Sequence, residues 1–113
     1  MIDIKGMDIT VSRGDCSPFT ITLTGEDAVP DGTKVLFTVK KSSGYKEPVI
    51  EKLLTVADRT ITVRIMNADT KELPFGDYEW DIRLPDWFGE NEPWTPMEKP
   101  EKFTVANVVG NVG

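Results

Sequence analysis

The stretch GDYEWDIRL, residues 76–84, has the most regular pattern in this sequence and decides the fold class. Apolar Tyr78, Trp80, Ile82 and Leu84 alternate in it with charged residues. Successive side chains of a β-strand point to opposite faces of the sheet. The alternation therefore predicts a strand that has one face in a core and the other in water.

Six further runs have β-strand character, so the sequence predicts seven strands. In chain order they are MDITV (7–11), FTITLT (19–24), VLFTV (35–39), PVIEKLLTV (48–56), TITVRI (60–65) and KFTVANVV (102–109). Residues 48–56 alternate less cleanly, which indicates a bulge or an edge strand. The apolar positions of the cleaner runs form the predicted core: Met7, Ile9, Phe19, Ile21, Leu23, Val35, Phe37, Val39, Ile61, Val63, Ile65, Tyr78, Trp80, Ile82 and Phe103.

The connection before residue 76 predicts one helical turn. Asn67 is a suitable N-cap for the segment ADTKEL that follows it, and Pro74 ends the turn. Gly76 then frees the backbone at the start of the next strand.

The pattern Gly76-Asp77-Tyr78-Glu79-Trp80 matches the corner before strand F of immunoglobulin-like domains, in which the tyrosine hydroxyl bonds the backbone upstream. Trp80 stands where an antibody domain has its second cysteine. We therefore expect a single all-β domain over residues 1–113, with its core within about 7–108. It is predicted to be a seven-stranded antiparallel immunoglobulin-like β-sandwich with one short helical turn before strand F.

Composition excludes several classes of function. The chain of 113 residues carries 19 acidic and 13 basic residues, a net charge of −6, which disfavours binding to nucleic acid. No apolar run approaches the ~20 residues of a membrane-spanning helix. The single cysteine, Cys16, has no partner for an internal disulfide, and the start MIDIKGMDI lacks the apolar segment of a secretory signal. Both features favour a product of a reducing cytoplasm.

The sequence offers little for catalysis. It has no histidine, so neither a zinc site nor an activated Cys16 is expected. Asp86, Glu90 and Glu92 do not follow the order of ligands in an EF-hand loop. The acidic residues leave a carboxylate pair for glycoside hydrolysis open, but a sandwich of this size rarely encloses a cleft. We expect a non-enzyme with no catalytic residue, metal or cofactor.

The chain resembles the small immunoglobulin-like domains of phage and prophage tail proteins, including the N-terminal domain of baseplate upper proteins. The features that carry the resemblance are SRGDCSPFTITLT, VLFTVKKS, VIEKLLTV, NADTKELPFGDYEWDIRL and the final FTV. The resemblance implies a structural part of a virion, made in the bacterial cytoplasm, whose partners are other phage structural proteins or further copies of itself.

The tripeptide Arg13-Gly14-Asp15 has the spelling of an integrin-type adhesion signal. Gly14 permits a positive φ and Asp15 can bond the backbone of a bend, so the segment equally predicts a tight turn. We expect the turn, because Cys16 and the absent signal do not fit an extracellular protein.

Two segments are candidates for interaction. The loop LPDWFGENEPWTP (84–96), called here the aromatic loop, contains Asp86, Trp87, Phe88, Glu90, Glu92 and Trp94. Its aromatic side chains can pack on the domain, bind another protein or stack on a sugar.

The tail ANVVGNVG (106–113) carries Val108, Val109 and Val112 beyond the last strand, where no core remains for them. We expect the loop and the tail to contact other subunits of a phage particle. The alternative is a module in which the Trp87–Trp94 loop binds carbohydrate of the bacterial surface.

Overall fold

The computed structural model describes residues 2–3, 8–25, 29–42, 47–96 and 100–106. The chain is mostly β. The described residues form nine strands and one helical turn: β1 (Ile2–Asp3), β2 (Ile9–Ser12), β3 (Ser17–Thr22), β4 (Thr24–Gly25), β5 (Lys34–Lys40), β6 (Ile50–Thr55), β7 (Thr60–Ile65), α1 (Asn67–Thr70), β8 (Gly76–Arg83) and β9 (Glu101–Ala106). Each of the seven predicted runs overlaps one of the longer strands, and the short β1 and β4 pair with each other.

The largest sheet has five strands in the order β2-β9-β8-β5-β6. The prediction of a purely antiparallel arrangement is wrong for one pair, because β2 runs parallel to β9 with Ile9 opposite Phe103. The reason lies at the turn after Ser12, where the chain crosses to another sheet instead of forming a hairpin between β2 and β3. Ile9 and Val11 then reach the core beside β9.

Strands β3 and β7 form a separate antiparallel ribbon, with Phe19 opposite Val63. The apolar side of the ribbon and that of the five-stranded sheet contribute to one buried cluster. Phe19 of the ribbon meets Phe37 of the sheet edge to face, with ring centroids 6.1 Å apart. One hydrophobic core therefore joins the two sets of strands.

The predicted core is confirmed at most of its positions. Trp80 is fully buried and its ring lies 5.6 Å from that of Phe37. Phe19 is only partly buried, and Met7 lies outside the described residues. The other predicted members are buried: Ile9, Ile21, Leu23, Val35, Phe37, Val39, Ile61, Val63, Ile65, Tyr78, Ile82 and Phe103. The alternate residues Thr20, Thr22, Thr62 and Arg64 are exposed, so the predicted strand faces are correct.

The helical turn exists, but its predicted cap is wrong. The N-cap residue is Met66, and the carboxylate of Asp69 accepts a hydrogen bond of 2.7 Å from the Met66 backbone N–H. The side chain of Asn67 is engaged elsewhere, since it donates to the carbonyl of Gly14 at 2.7 Å. The side chain that the local pattern assigned to the cap therefore bonds a residue 53 positions away in the chain.

Of the two alternatives predicted for residues 48–56, a bulge or an edge strand, the described strands show the edge position. Strand β6 closes the order of the five-stranded sheet on the side opposite β2. By strand alternation Lys52 lies on the same side as Ile50 and Leu54, and its ammonium forms a 2.9 Å ion pair with Asp69. Leu53 points the other way and is 62% exposed. Among the described residues, no helix is long and apolar enough to cross a membrane.

Candidate interaction site

The aromatic loop continues the hairpin that starts from β8. Leu84 and Trp94 exchange two backbone hydrogen bonds, of 2.8 and 2.9 Å, which close the base of the loop. Within it, Phe88 N–H donates to the Glu92 carbonyl at 3.1 Å and Glu92 N–H donates to the Gly89 carbonyl at 3.0 Å. These bonds make the tip a compact turn.

The three aromatic side chains of the loop form one cluster with graded exposure. The rings of Trp87 and Trp94 lie 5.6 Å apart, and that of Phe88 lies 6.4 Å from Trp94. Both tryptophans are partly buried against the core. Phe88 is 66% exposed. The tryptophans therefore support the loop, and Phe88 is the most exposed of its three aromatic side chains.

The acidic residues of the loop have different surroundings. One carboxylate oxygen of Asp86 accepts a 2.9 Å hydrogen bond from the backbone N–H of Asn91, which has a positive φ of 61°. Glu90 and Glu92 are exposed. Asp86 thus shapes the loop, while Glu90 and Glu92 add negative charge beside Phe88.

An open depression lies next to the loop. Asp86 and Trp87 form one side of it, and the other side consists of Pro30, Gly32, Thr33 and Lys34. The depression combines an indole, a carboxylate, a hydroxyl and an ammonium group. The structure thus brings Asp86 and Trp87 to it, whereas Phe88 and Trp94 are not among its lining residues.

The candidate interaction tail follows β9 in the sequence. Val108, Val109 and Val112 lie outside the described residues, which end at Ala106. The carbonyl of Ala106 accepts a 3.0 Å hydrogen bond from the backbone N–H of Arg13, so β9 ends beside the turn at residues 12–15.

The segment Arg13-Gly14-Asp15 forms the predicted tight turn. Asp15 N–H donates to the Ser12 carbonyl at 3.1 Å, and Gly14 has a φ of +85°. Helical turn α1 holds this glycine from both sides: Gly14 N–H donates to the buried hydroxyl of Thr70 at 2.8 Å, and its carbonyl accepts from Asn67. No local pattern predicts these two hydrogen bonds, since Thr70 belongs to no alternating run.

The arginine of the tripeptide is also engaged. The guanidinium of Arg13 lies 3.9 Å from the centre of the Phe75 ring, a cation–π contact. Asp15 is exposed. Of the two charged side chains in the turn, one is thus held against the protein surface.

The outer face of β8 carries carboxylates that the sequence analysis did not single out. Burial raises the pKa of Asp81. The positive charges of Lys40 and Arg83 oppose this increase, and the negative charge of Glu79 adds to it. One carboxylate oxygen of Glu79 is buried and accepts no hydrogen bond in the described structure. Alternation predicts which face of β8 enters the core, but it does not predict how deeply the charged side chains of the opposite face are buried.

No group of three or more histidine, cysteine or carboxylate side chains among the described residues is arranged to hold a metal ion. Cys16 is exposed. A comparison of the sequence with known protein families found no match, and a comparison with curated proteins found none either.

Proposed function

We propose that this chain is a non-catalytic assembly module of a phage or prophage virion, in its tail or baseplate, and that it acts through protein–protein contacts. The virion assignment rests on the resemblance of its sequence motifs to phage tail domains. The proposal includes the immunoglobulin-like sandwich, with β5, β8 and β9 as strands C, F and G and with β3 and β7 as strands B and E.

Two features support that sandwich. The order β5-β8-β9 matches the C-F-G order of immunoglobulin sheets, and β3 pairs with β7 as strand B pairs with E. The hydroxyl of buried Tyr78 donates a 2.8 Å hydrogen bond to the carbonyl of Pro74, four residues upstream. A tyrosine that bonds the backbone a few residues upstream is what a tyrosine corner requires, so this bond supports the proposed sandwich.

The observation that carries the interaction role is the exposure of Phe88 on a braced loop. Its 66% exposed ring lies at the tip of a turn that backbone hydrogen bonds and two half-buried tryptophans hold in shape. An aromatic side chain on a rigid support loses little conformational entropy on binding, which is the usual property of an interface anchor. The uncharged tail beyond Ala106 would add apolar surface to the same subunit contacts.

Sedimentation velocity tests this role. The full chain, a form that ends at Ala106 and the variant Phe88→Ser are compared over a range of concentrations. We expect the full chain to form species larger than a dimer and the two altered forms to stay smaller. Equal sedimentation of all three would refute a role of the loop and the tail in assembly.

A second candidate function is binding of bacterial surface carbohydrate. The depression beside Trp87 favours it, because an indole ring can stack on a sugar while the carboxylate of Asp86 accepts hydrogen bonds from its hydroxyls. Titration with bacterial surface oligosaccharides, followed by tryptophan fluorescence, tests this function against Trp87→Ala. Saturable binding that Trp87→Ala abolishes, in a chain that shows no larger assembly, would replace the assembly role by this one.

A further inference from the structure

Strand β6 has an open side in the part of the chain that the structure describes. It pairs with β5 along Ile50–Thr55, and no described strand pairs with its other side. An edge strand of this kind can accept a further strand through its backbone groups. Apolar side chains are also exposed here: Leu53 on the outward face of β6 is 62% exposed, and Val49, directly before the strand, is 37% exposed.

We propose that β6 pairs with β6 of a second copy of this chain, antiparallel and about a two-fold axis perpendicular to the sheet. This pairing joins two five-stranded sheets into one continuous sheet. It goes beyond the assembly role proposed above, since it uses neither the aromatic loop nor the tail.

The side chains of β6 select one register. A two-fold axis perpendicular to the sheet places residues of the same face opposite each other, and the paired segment of β6 is longest when the axis passes through Lys52 or Leu53 in the middle of the strand. An axis at Glu51 or Lys52 sets two like charges directly opposite, which destabilises an antiparallel pair. An axis at Leu53 avoids this conflict and brings the two exposed leucines together. Leu36, the sheet neighbour of Leu53, extends the apolar contact in each copy.

Charges also match in the Leu53 register. Thr55 of one copy then lies opposite Glu51 of the other, on the outer face of the sheet. The ammonium of Lys34 already reaches over β6, where it donates to the Thr55 hydroxyl at 3.0 Å. Lys34 therefore comes next to Glu51 of the second copy, and symmetry forms this opposite-charge contact twice. On the inner face the charge of Lys52 remains paired with Asp69.

Single-cysteine cross-linking tests the register. In a Cys16→Ser background, cysteine is introduced separately as Glu51→Cys, Leu53→Cys and Thr55→Cys, and dimers are followed under oxidised glutathione on non-reducing gels. Residues directly opposite in antiparallel strands have Cα atoms about 4.5–5.5 Å apart, which suits a disulfide. The Leu53→Cys form should dimerise fastest. Cysteines at 51 or 55 lie about 13 Å from their copies in this register, four residues along the strand. Equal rates at the three positions would show random collision and overturn the proposal.

Sedimentation equilibrium tests the pairing without a cross-link. The paired segment is short, so we expect a reversible dimer that forms at high protein concentration. Leu53→Glu sets two carboxylates opposite each other and should remove the dimer. Thr20→Glu adds the same charge on an exposed position of β3 and should keep it. Wild-type protein that stays monomeric at every concentration would overturn the proposal.

A charge exchange gives a further check. Lys34→Glu and Glu51→Lys should each weaken the dimer, and the double variant should restore it. The β6 dimer should also survive in the form that ends at Ala106, which lacks the tail. A dimer that resists truncation but disappears in Leu53→Glu supports the β6 pairing even if the larger assembly is absent, so the two proposals can fail separately.

Discussion

Replacing Thr70 by valine removes one hydroxyl from the interior and should release the turn at Gly14. Thr70 is fully buried, and its hydroxyl accepts the 2.8 Å hydrogen bond from Gly14 N–H. Valine has almost the same shape as threonine, so the packing around residue 70 stays filled. The change leaves the Gly14 N–H without its partner, which costs about 1–3 kcal/mol. A domain of this size is stable by about 5–15 kcal/mol, so the loss is measurable.

The free energy of unfolding is measured by urea denaturation with tryptophan fluorescence, for which buried Trp80 is a suitable probe. With a slope of about 2 kcal/mol per molar urea, a cost of about 1–3 kcal/mol should lower the midpoint by roughly 0.5–1.5 M. Thr62→Val is the matched control. Thr62 is exposed on β7, so this substitution makes the same chemical change outside the core. Its midpoint should stay near that of the wild type.

Hydrogen exchange of the Gly14 amide separates the loss of this one bond from a general loss of stability. The amide should exchange faster in Thr70→Val than the global change in stability explains. An unchanged midpoint, together with an amide that remains protected, would refute the view that Thr70 holds the turn.

Three further changes probe the core and the polar face of β8. Trp80→Ala should lower the free energy of unfolding by about 3–5 kcal/mol. Circular dichroism measures it, because the change removes a fluorophore. A loss below about 1 kcal/mol would contradict a central position of Trp80 in the core. Tyr78→Phe removes the bond to the Pro74 carbonyl and should lower the free energy of unfolding by about 0.5–1.5 kcal/mol in the same assay. Burial raises the pKa of Asp81 in the folded state. Between the unfolded and the folded pKa the folded state therefore binds more protons than the unfolded state. The contribution of Asp81 to stability falls as pH rises through that range. Asp81→Asn should therefore be more stable than the wild type at pH 7, with a difference that shrinks toward pH 3; a difference independent of pH would contradict this sign.

The strands could be predicted because their signal is local. A strand with one buried face needs an apolar residue at every second position, and residues 60–65 and 76–84 satisfy this requirement without reference to any distant part of the chain. The hydrogen bond of the Tyr78 hydroxyl is equally local, since it reaches the carbonyl of Pro74 four residues away. Each of these features leaves its pattern within a few residues of sequence.

The remaining features depend on residues that are far apart in the chain. The parallel pairing of β2 with β9 joins residues near both ends, and a period-two pattern does not name the partner of a strand. Asn67 was assigned to the cap because its neighbours favour a helical turn, whereas its amide group bonds Gly14 across the fold. The weak alternation of β6 has a similar cause. Lys52 occupies a core-side position because Asp69, 17 positions further along, neutralises it.

In the candidate site, too, the sequence predicts which residues belong to the loop but not how they are arranged. The sequence identified the aromatic residues of the loop but not their order of exposure, since Trp87, Phe88 and Trp94 are all apolar and lie in a segment without periodicity. The bridge between Leu84 and Trp94 decides that order. It draws Trp94 back to the end of β8, where its ring packs between Trp87 and Phe88 and leaves Phe88 outermost.

The contacts of Arg13-Gly14-Asp15 favour a structural role for this tripeptide. A ligand loop of that sequence would have to present both charged side chains to a receptor at once. Here Arg13 is held over the Phe75 ring, its backbone N–H is bonded to the end of β9, and α1 binds Gly14 through both its N–H and its carbonyl. Presenting Arg13 to a receptor would therefore break a cation–π contact that the folded chain already makes. The turn joins the start of β3, the end of β9 and α1 at one end of the core, which explains why a glycine with positive φ stands at its centre.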